Sequence, residues 1–223
     1  MKIKEFFINL LFPKFCLSCK KEGNFLCEDC FSILDIYTSH QKMKTQNLDD
    51  IYFAVNYENF LVKKLIQSFK YPPLIKELKK ELALIIFFHL SLLDRKPNFS
   101  SFKVISIPSG KSKLRWRGFN PAQEIAKELS QILNLNFISD GLIKIKENKE
   151  QVNLSEKERL ENVKGVFGVK NREMIEGKNI LLIDDVFTTG ATLEEGAKVL
   201  KEAGAKKIIG MVVAKATLDK SLI

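Results

Sequence analysis

The most chemically pointed stretch of the sequence is Asp184-Asp185-Val186-Phe187-Thr188-Thr189-Gly190-Ala191-Thr192. An apolar run ending in the two acids (NILLIDD, 179–185) precedes it and reads as a central parallel strand covered on both faces. A helix is expected to follow, over roughly 193–202. In open parallel sheets ligands bind beyond the carboxyl ends of strands, and the exposed N–H groups of the next helix start attract phosphate. Small residues let the backbone approach an anion, Gly190 tolerates unusual dihedrals, and the threonine hydroxyls add donors. Neighbouring Asp184 and Asp185 cannot both point into a core, and they suit the vicinal hydroxyls of a sugar, directly or through Mg2+. The stretch lacks the Gly-Lys-Ser/Thr of a P-loop and the G-x-G-x-x-G of a dinucleotide fold. The ligand expected is therefore a ribose 5-phosphate rather than a nucleoside triphosphate. The plain alternative is a strand-end acid pair beside an ordinary helix cap.

A second constellation holds all four cysteines, as Cys16-x2-Cys19 and Cys27-x2-Cys30. Two such pairs are the ligand set of a closed tetrahedral zinc site made of thiolates, with Gly23 and Asn24 turning the short spacer. Two disulfides are the competing reading, disfavoured in a reducing compartment. A redox pair would need a neighbouring βαβ unit. If zinc binds, it supplies most of the folding energy of so small a unit, so removing it should unfold residues around 14–32.

A third is the alternating run Lys111, Lys113, Arg115, Arg117, with Leu114 and Trp116 between. If extended, it projects all four cations from one face. Three readings stand: pyrophosphate neutralisation by arginine forks, a groove for single-stranded DNA with Trp116 or Phe119 stacking a base, or a solvated basic hairpin with Trp116 packed on the core.

These stretches need a scaffold. Residues 51–57 read as a strand and 58–69 as an amphipathic helix with Leu61, Leu65, Ile66 and Phe69 on one face. Pro72-Pro73 breaks it, and a second helix runs to about Leu93. A strand at 103–108, a helix from Pro121 and a strand at about 206–214 complete a parallel sheet with helical crossovers, hence an α/β domain. Residues 36–50 read as a connector. The N-terminal 13 residues read as an amphipathic helix, with membrane-surface binding as the lesser reading. His40 and His89, the only histidines, are expected to be bystanders, so no histidine-based catalytic constellation is expected. The 223-residue chain is 45% hydrophobic and 28% charged, which excludes a disordered protein. A net charge of +9 favours an anionic partner: a phosphorylated small molecule, a nucleic acid or anionic lipid. The longest apolar run, 82–93, is too short to span a bilayer, and a cytoplasmic protein is expected.

ILLIDDVFTTGAT resembles the phosphoribosyl-pyrophosphate (PRPP) motif of type I phosphoribosyltransferases. The resemblance implies that Asp184 and Asp185 contact the ribose 2′- and 3′-hydroxyls, and that the stretch Val186 to Thr192 holds the 5-phosphate through its TTGAT loop. It also places the pyrophosphate loop at 108–117. More narrowly, the four-cysteine module, LIQSFKY, RWRGFN (115–120) and QVNLSEKERLENVKGVF (151–167) make the whole chain resemble the ComF family, associated with DNA uptake in natural transformation. Pro121, Lys144, Lys146 and Asn148 depart from that family's pattern. The likeness implies a type I phosphoribosyltransferase fold over 51–223, a zinc module over 1–35 and a connector over 36–50. It further implies structural Zn2+, Mg2+ bound with PRPP, and single-stranded DNA and other competence proteins as partners. An active salvage phosphoribosyltransferase, or a PRPP-sensing regulator, are the alternatives.

Overall fold

The computed structural model describes residues 13–146 and 162–216. In chain order its elements are α1 (Glu28–Ser32), β1 (Asp50–Asn56), α2 (Phe60–Lys70), α3 (Lys79–Leu92), β2 (Phe102–Ser106), α4 (Lys111–Arg117), α5 (Pro121–Ile132), β3 (Asn136–Phe137), β4 (Ile143–Lys144), β5 (Phe167–Gly168), β6 (Asn179–Phe187), α6 (Ala191–Glu202) and β7 (Lys207–Lys215). The expected N-terminal helix and most of the 151–167 stretch lie outside the described residues.

Ile180, Leu181, Leu182 and Ile183 are fully buried because β6 is the middle strand of a five-stranded sheet ordered β1-β7-β6-β2-β3, with every pairing parallel. Alternate β6 side chains feed two cores. Leu181 and Ile183 join Ile209, Met211 and Val213 of β7 beneath α2, α3 and α5. Ile180 and Leu182 join Ile208 and Val212 beneath Leu193, Ala197 and Leu200 of α6. Gly196 lets α6 approach closely, since a Cβ there would lie 2.9 Å from Ile107 Cδ1. The α/β reading thus stands, as do the central position of 179–185 and the helix opening at Pro121.

α2 shows how the pattern becomes structure. Asn59 caps it by accepting from the Leu61 and Val62 amides, and Leu61, Leu65, Ile66 and Phe69 are all buried as their spacing predicts. The Phe69 ring packs 5.2 Å from that of Phe119.

One expectation changes. Residues 111–117 are helical, not extended, because Gly110 and left-handed Gly118 bracket a full turn that Gly118 N closes onto Leu114 O at 2.8 Å. A helix turns about 100° per residue, so alternate cations no longer share a face. The 36–50 connector makes contacts of its own. Tyr37 N donates to Ala54 O (2.9 Å) and Met43 N to Asp50 Oδ1 (3.1 Å), tying 36–43 to β1.

Phe69→Ala removes a fully buried ring that packs on Phe119 in the turn before α5. It should cost about 3–5 kcal/mol in urea unfolding; a loss below about 1 kcal/mol would contradict this packing.

Candidate functional site

The crossover from β2 leaves to one side, through α5 to β3, and the crossover from β6 leaves to the other, through α6 to β7. The carboxyl ends of β2 and β6 therefore diverge into a crevice. A cavity of about 310 Å3 opens there. Its walls are Asp184 to Thr188 and Gly190 to Leu193, the 107–110 turn after β2, Tyr57, Lys70 and Tyr71 from around α2, Lys113 and Arg117 of α4, and Lys144 of β4.

Gly190 has φ of +77° and a Cβ there would sit 2.6 Å from the Phe187 ring, so glycine is required on both counts. Glu194 N donates to Gly190 O at 2.9 Å as the first bond of α6. That leaves the amides of Thr192 and Leu193 as first-turn donors at the cavity wall. Ala191 N makes a long contact with Thr189 Oγ1 (3.3 Å), so Thr189 props the loop from within and does not line the cavity. Val186, Phe187, Thr188, Gly190, Ala191 and Thr192 do line it.

The two acids differ. Asp185 is buried, and its Oδ1 accepts from Lys70 Nζ at 3.0 Å. Asp184 Oδ1 accepts from the Asp185 amide at 2.9 Å. Burial first, and then the neighbouring Asp185 charge, push the Asp184 carboxyl up to about 7. Burial opposes the charge on Lys70, but the Asp185 carboxylate outweighs it and holds the ammonium above its ordinary range. Lys70 thus stands as a tethered cation against the acid pair. Arg117 fixes its backbone, with Nε donating to Lys70 O at 2.7 Å. Sequence reasoning did not place Lys70 in the site. The signal was there: it follows Val62 and Ile66 at four-residue steps on the buried stripe of α2, where an apolar residue should stand.

The helical form of 111–117 divides the basic run. Lys113 and Arg117 reach the cavity, whereas Lys111, Arg115 and Trp116 do not line it. Arg117 is buried. Burial opposes its charge, with the Asp185 field acting the other way. Trp116 is 53% exposed rather than packed on the core, 6.2 Å from the half-exposed Tyr71 ring. The Arg117 guanidinium lies 5.7 Å and 5.8 Å from the two rings.

The four cysteine Sγ atoms lie within 4.8 Å of one another, and none is in a disulfide. A tetrahedron with metal–sulfur bonds of about 2.3 Å has edges of about 3.8 Å, so the donor set fits a metal ion such as zinc. Burial opposes ionisation of Cys16, but amide donors from Cys27, Cys19 and Ser18 outweigh it and bring the thiol down to about 6. Cys27, favoured by a backbone donor at Cys30 but opposed by burial and the crowding thiols, is pushed up to about 12. Cys16, Leu26, Cys27, Cys30 and Leu34 join the core that includes α3, and among the described residues of the module none lines the cavity. Neither histidine reaches the cavity: His40 pairs with Asp50 (3.0 Å) and His89 with Tyr37 O (2.6 Å). Among the described residues no helix is long and apolar enough to cross a membrane.

The raised Asp184 has a thermodynamic signature. The native chain holds a proton that the unfolded chain releases above about pH 4, so this group lowers stability as pH rises from about 4 to 7. Asp184→Asn is always neutral and should gain thermal stability over the parent by several degrees more at pH 8 than at pH 5. An equal difference at both pH values would contradict the assignment.

The phosphoribosyl transferase domain model matches residues 115–221. Competence protein F of Haemophilus influenzae is 26% identical over 201 residues, covering 86% of this chain and 86% of that protein. Competence protein ComFC of Streptococcus pneumoniae is 28% identical over 199 residues, covering 86% and 77%. DNA utilization protein YhgH of Escherichia coli O157:H7 is 29% identical over 106 residues, covering 48% and 46%. With the parallel sheet, the cavity at its switch point and the four-cysteine cluster already in place, these similarities support a likeness to the ComF competence proteins over most of the chain, with a phosphoribosyl transferase domain match in its C-terminal half.

Proposed function

We propose that the protein binds PRPP or a related ribose 5-phosphate, with Mg2+, and takes part in DNA uptake, engaging single-stranded DNA. One observation carries the ligand: a cavity at the β2–β6 switch point in which the acid pair, the Thr188–Thr192 loop and a cationic wall face one another. Amide and hydroxyl donors around Gly190 suit the 5-phosphate. Asp184 and Asp185 suit the ribose hydroxyls, and Lys113 and Arg117 suit the diphosphate. Mg2+, when bound with PRPP, would supply charge neutralisation at the diphosphate, next to the acids this chain provides.

The competence role is supported by the names of the relatives. For DNA, the outward residues Arg115 and Trp116, together with exposed Tyr71, offer a cation and stacking faces beside the cavity mouth. The four cysteines would hold Zn2+ in a structural role, since four protein ligands leave no open position for chemistry. Transfer of the phosphoribosyl group is a second reading. It is favoured by Lys113 and Arg117 entering the same cavity as the acids, where charge on a leaving diphosphate would develop.

In calorimetry with PRPP and Mg2+, Asp184→Asn combined with Asp185→Asn should weaken binding at least tenfold; unchanged affinity would overturn the ligand reading. Release of pyrophosphate with any base or amine, lost in the same variant, separates an enzyme from a binding protein. Arg115→Ala with Trp116→Ala should cost about 1–3 kcal/mol in oligo(dT) binding and reduce the salt slope by about 0.7 for each phosphate no longer neutralised. Equal binding by the parent and this variant would refute a DNA role for α4. Stripping the metal with a chelator should abolish amide-exchange protection around 14–32 while leaving β6 protected; retained protection would contradict a structural metal.

A further inference from the structure

A second cavity, of about 490 Å3, lies between the 37–43 segment, the edge strand β1 and the end of β7, and shares no lining residue with the first. Among the described residues its lining is Tyr37, Ser39, His40, Gln41, Lys42, Met43, Phe53 and Lys215, with two lysines and no acid among these. We propose that it is a binding site for a nucleotide unit, a planar ring joined to a phosphate, either free or within a single strand.

The segment that walls the cavity is held in shape from three directions. His40 stacks flat on Tyr52, with centroids 3.9 Å apart and 4° between the planes, and its Nε2 bonds Asp50 Oδ2 at 3.0 Å. Asp50 Oδ1 also accepts from the Met43 amide (3.1 Å) and the Ile51 amide (2.9 Å), so the carboxylate behind the wall is spent internally. Downstream, Glu194 of α6 accepts from Thr45 Oγ1, from the Asn47 amide (2.8 Å) and from Asn47 Nδ2 (2.7 Å). A wall fixed in this way loses little freedom when a ligand enters.

The chemistry of the lining selects the ligand. Lys42 and Lys215 are exposed cations, and Lys215 Nζ already lies 4.9 Å from the Phe53 centroid. An ammonium held over the Phe53 ring presents a fixed cation to a phosphate, and Tyr37 and Met43 give a planar ring apolar surface in the same cavity. Ser39 and Gln41 add donors and acceptors. Burial first, then Asp35, push the Tyr37 phenol up, so it stays a neutral hydroxyl. The volume falls in the range of small-molecule sites, about 300–1,000 Å3. Phe53 also meets Phe187 edge-on at 5.1 Å, which places the cavity one ring contact from the strand carrying the phosphate loop.

The test is lysine acetylation of the full parent chain, read by mass spectrometry, with AMP, a twelve-residue oligo(dT) or inorganic phosphate added separately. AMP or oligo(dT) should slow modification of Lys42 and Lys215 at least threefold relative to Lys198, and inorganic phosphate should not. Protection by AMP alone identifies a free nucleotide, and protection by oligo(dT) alone a strand. In Lys42→Glu, at least tenfold more of the effective probe should be needed to protect Lys215. No protection, equal protection by phosphate, or an unchanged dose in Lys42→Glu would overturn the proposal. Protection at Lys113 reports the first cavity separately, so the two sites can fail independently.

Discussion

Two carboxylates placed side by side where the buried run of β6 meets the cavity create an electrostatic demand that the surrounding structure must meet. Asp185 is buried and Asp184 half-buried, and two unpartnered like charges so close together would be costly. The protein meets the demand unequally. Asp185 takes the Lys70 ammonium, and Asp184 receives one amide donor and is pushed up to about 7. The outcome is a site with one firmly held ion pair and one carboxyl whose charge depends on what enters the cavity.

Much of the architecture can be read as holding that arrangement open. Parallel strands whose crossovers leave in opposite directions set the crevice at the carboxyl ends of β2 and β6. α2 delivers Lys70 from one side, and α4 delivers Arg117, which secures the Lys70 carbonyl rather than competing for the acids. Gly190 keeps the Phe187 ring and the start of α6 close enough for small residues to line the wall. The described residues of the cysteine module line no part of the cavity; the buried ones extend the core beneath α3.

The parts legible in sequence were those fixed by short-range rules. The apolar run before the acids, the α2 spacing and Pro121 at a helix start each follow from local chemistry and stand as read, and the paired cysteines do come together. What escaped depended on distance in the chain. Lys70 lies 115 residues from Asp185, and only the three-dimensional fold joins them. The alternating cations of 111–117 looked like one face of a strand because alternation carries no record of the two glycines that close a helical turn. The contacts that fasten the 36–50 connector were likewise invisible, because Ala54 of β1 and Glu194 of α6 meet it only after folding.

The central claim is that the loop after β6 grips a sugar phosphate. The direct measurement is a titration of the amide-labelled protein with ribose 5-phosphate, followed residue by residue by nuclear magnetic resonance. The account predicts saturable shifts concentrated at Thr188 to Leu193 and at the Asp184–Asp185 amides, with little change in α3 or the cysteine module. Saturable shifts located elsewhere, or a loop that stays silent at millimolar ligand, would contradict it.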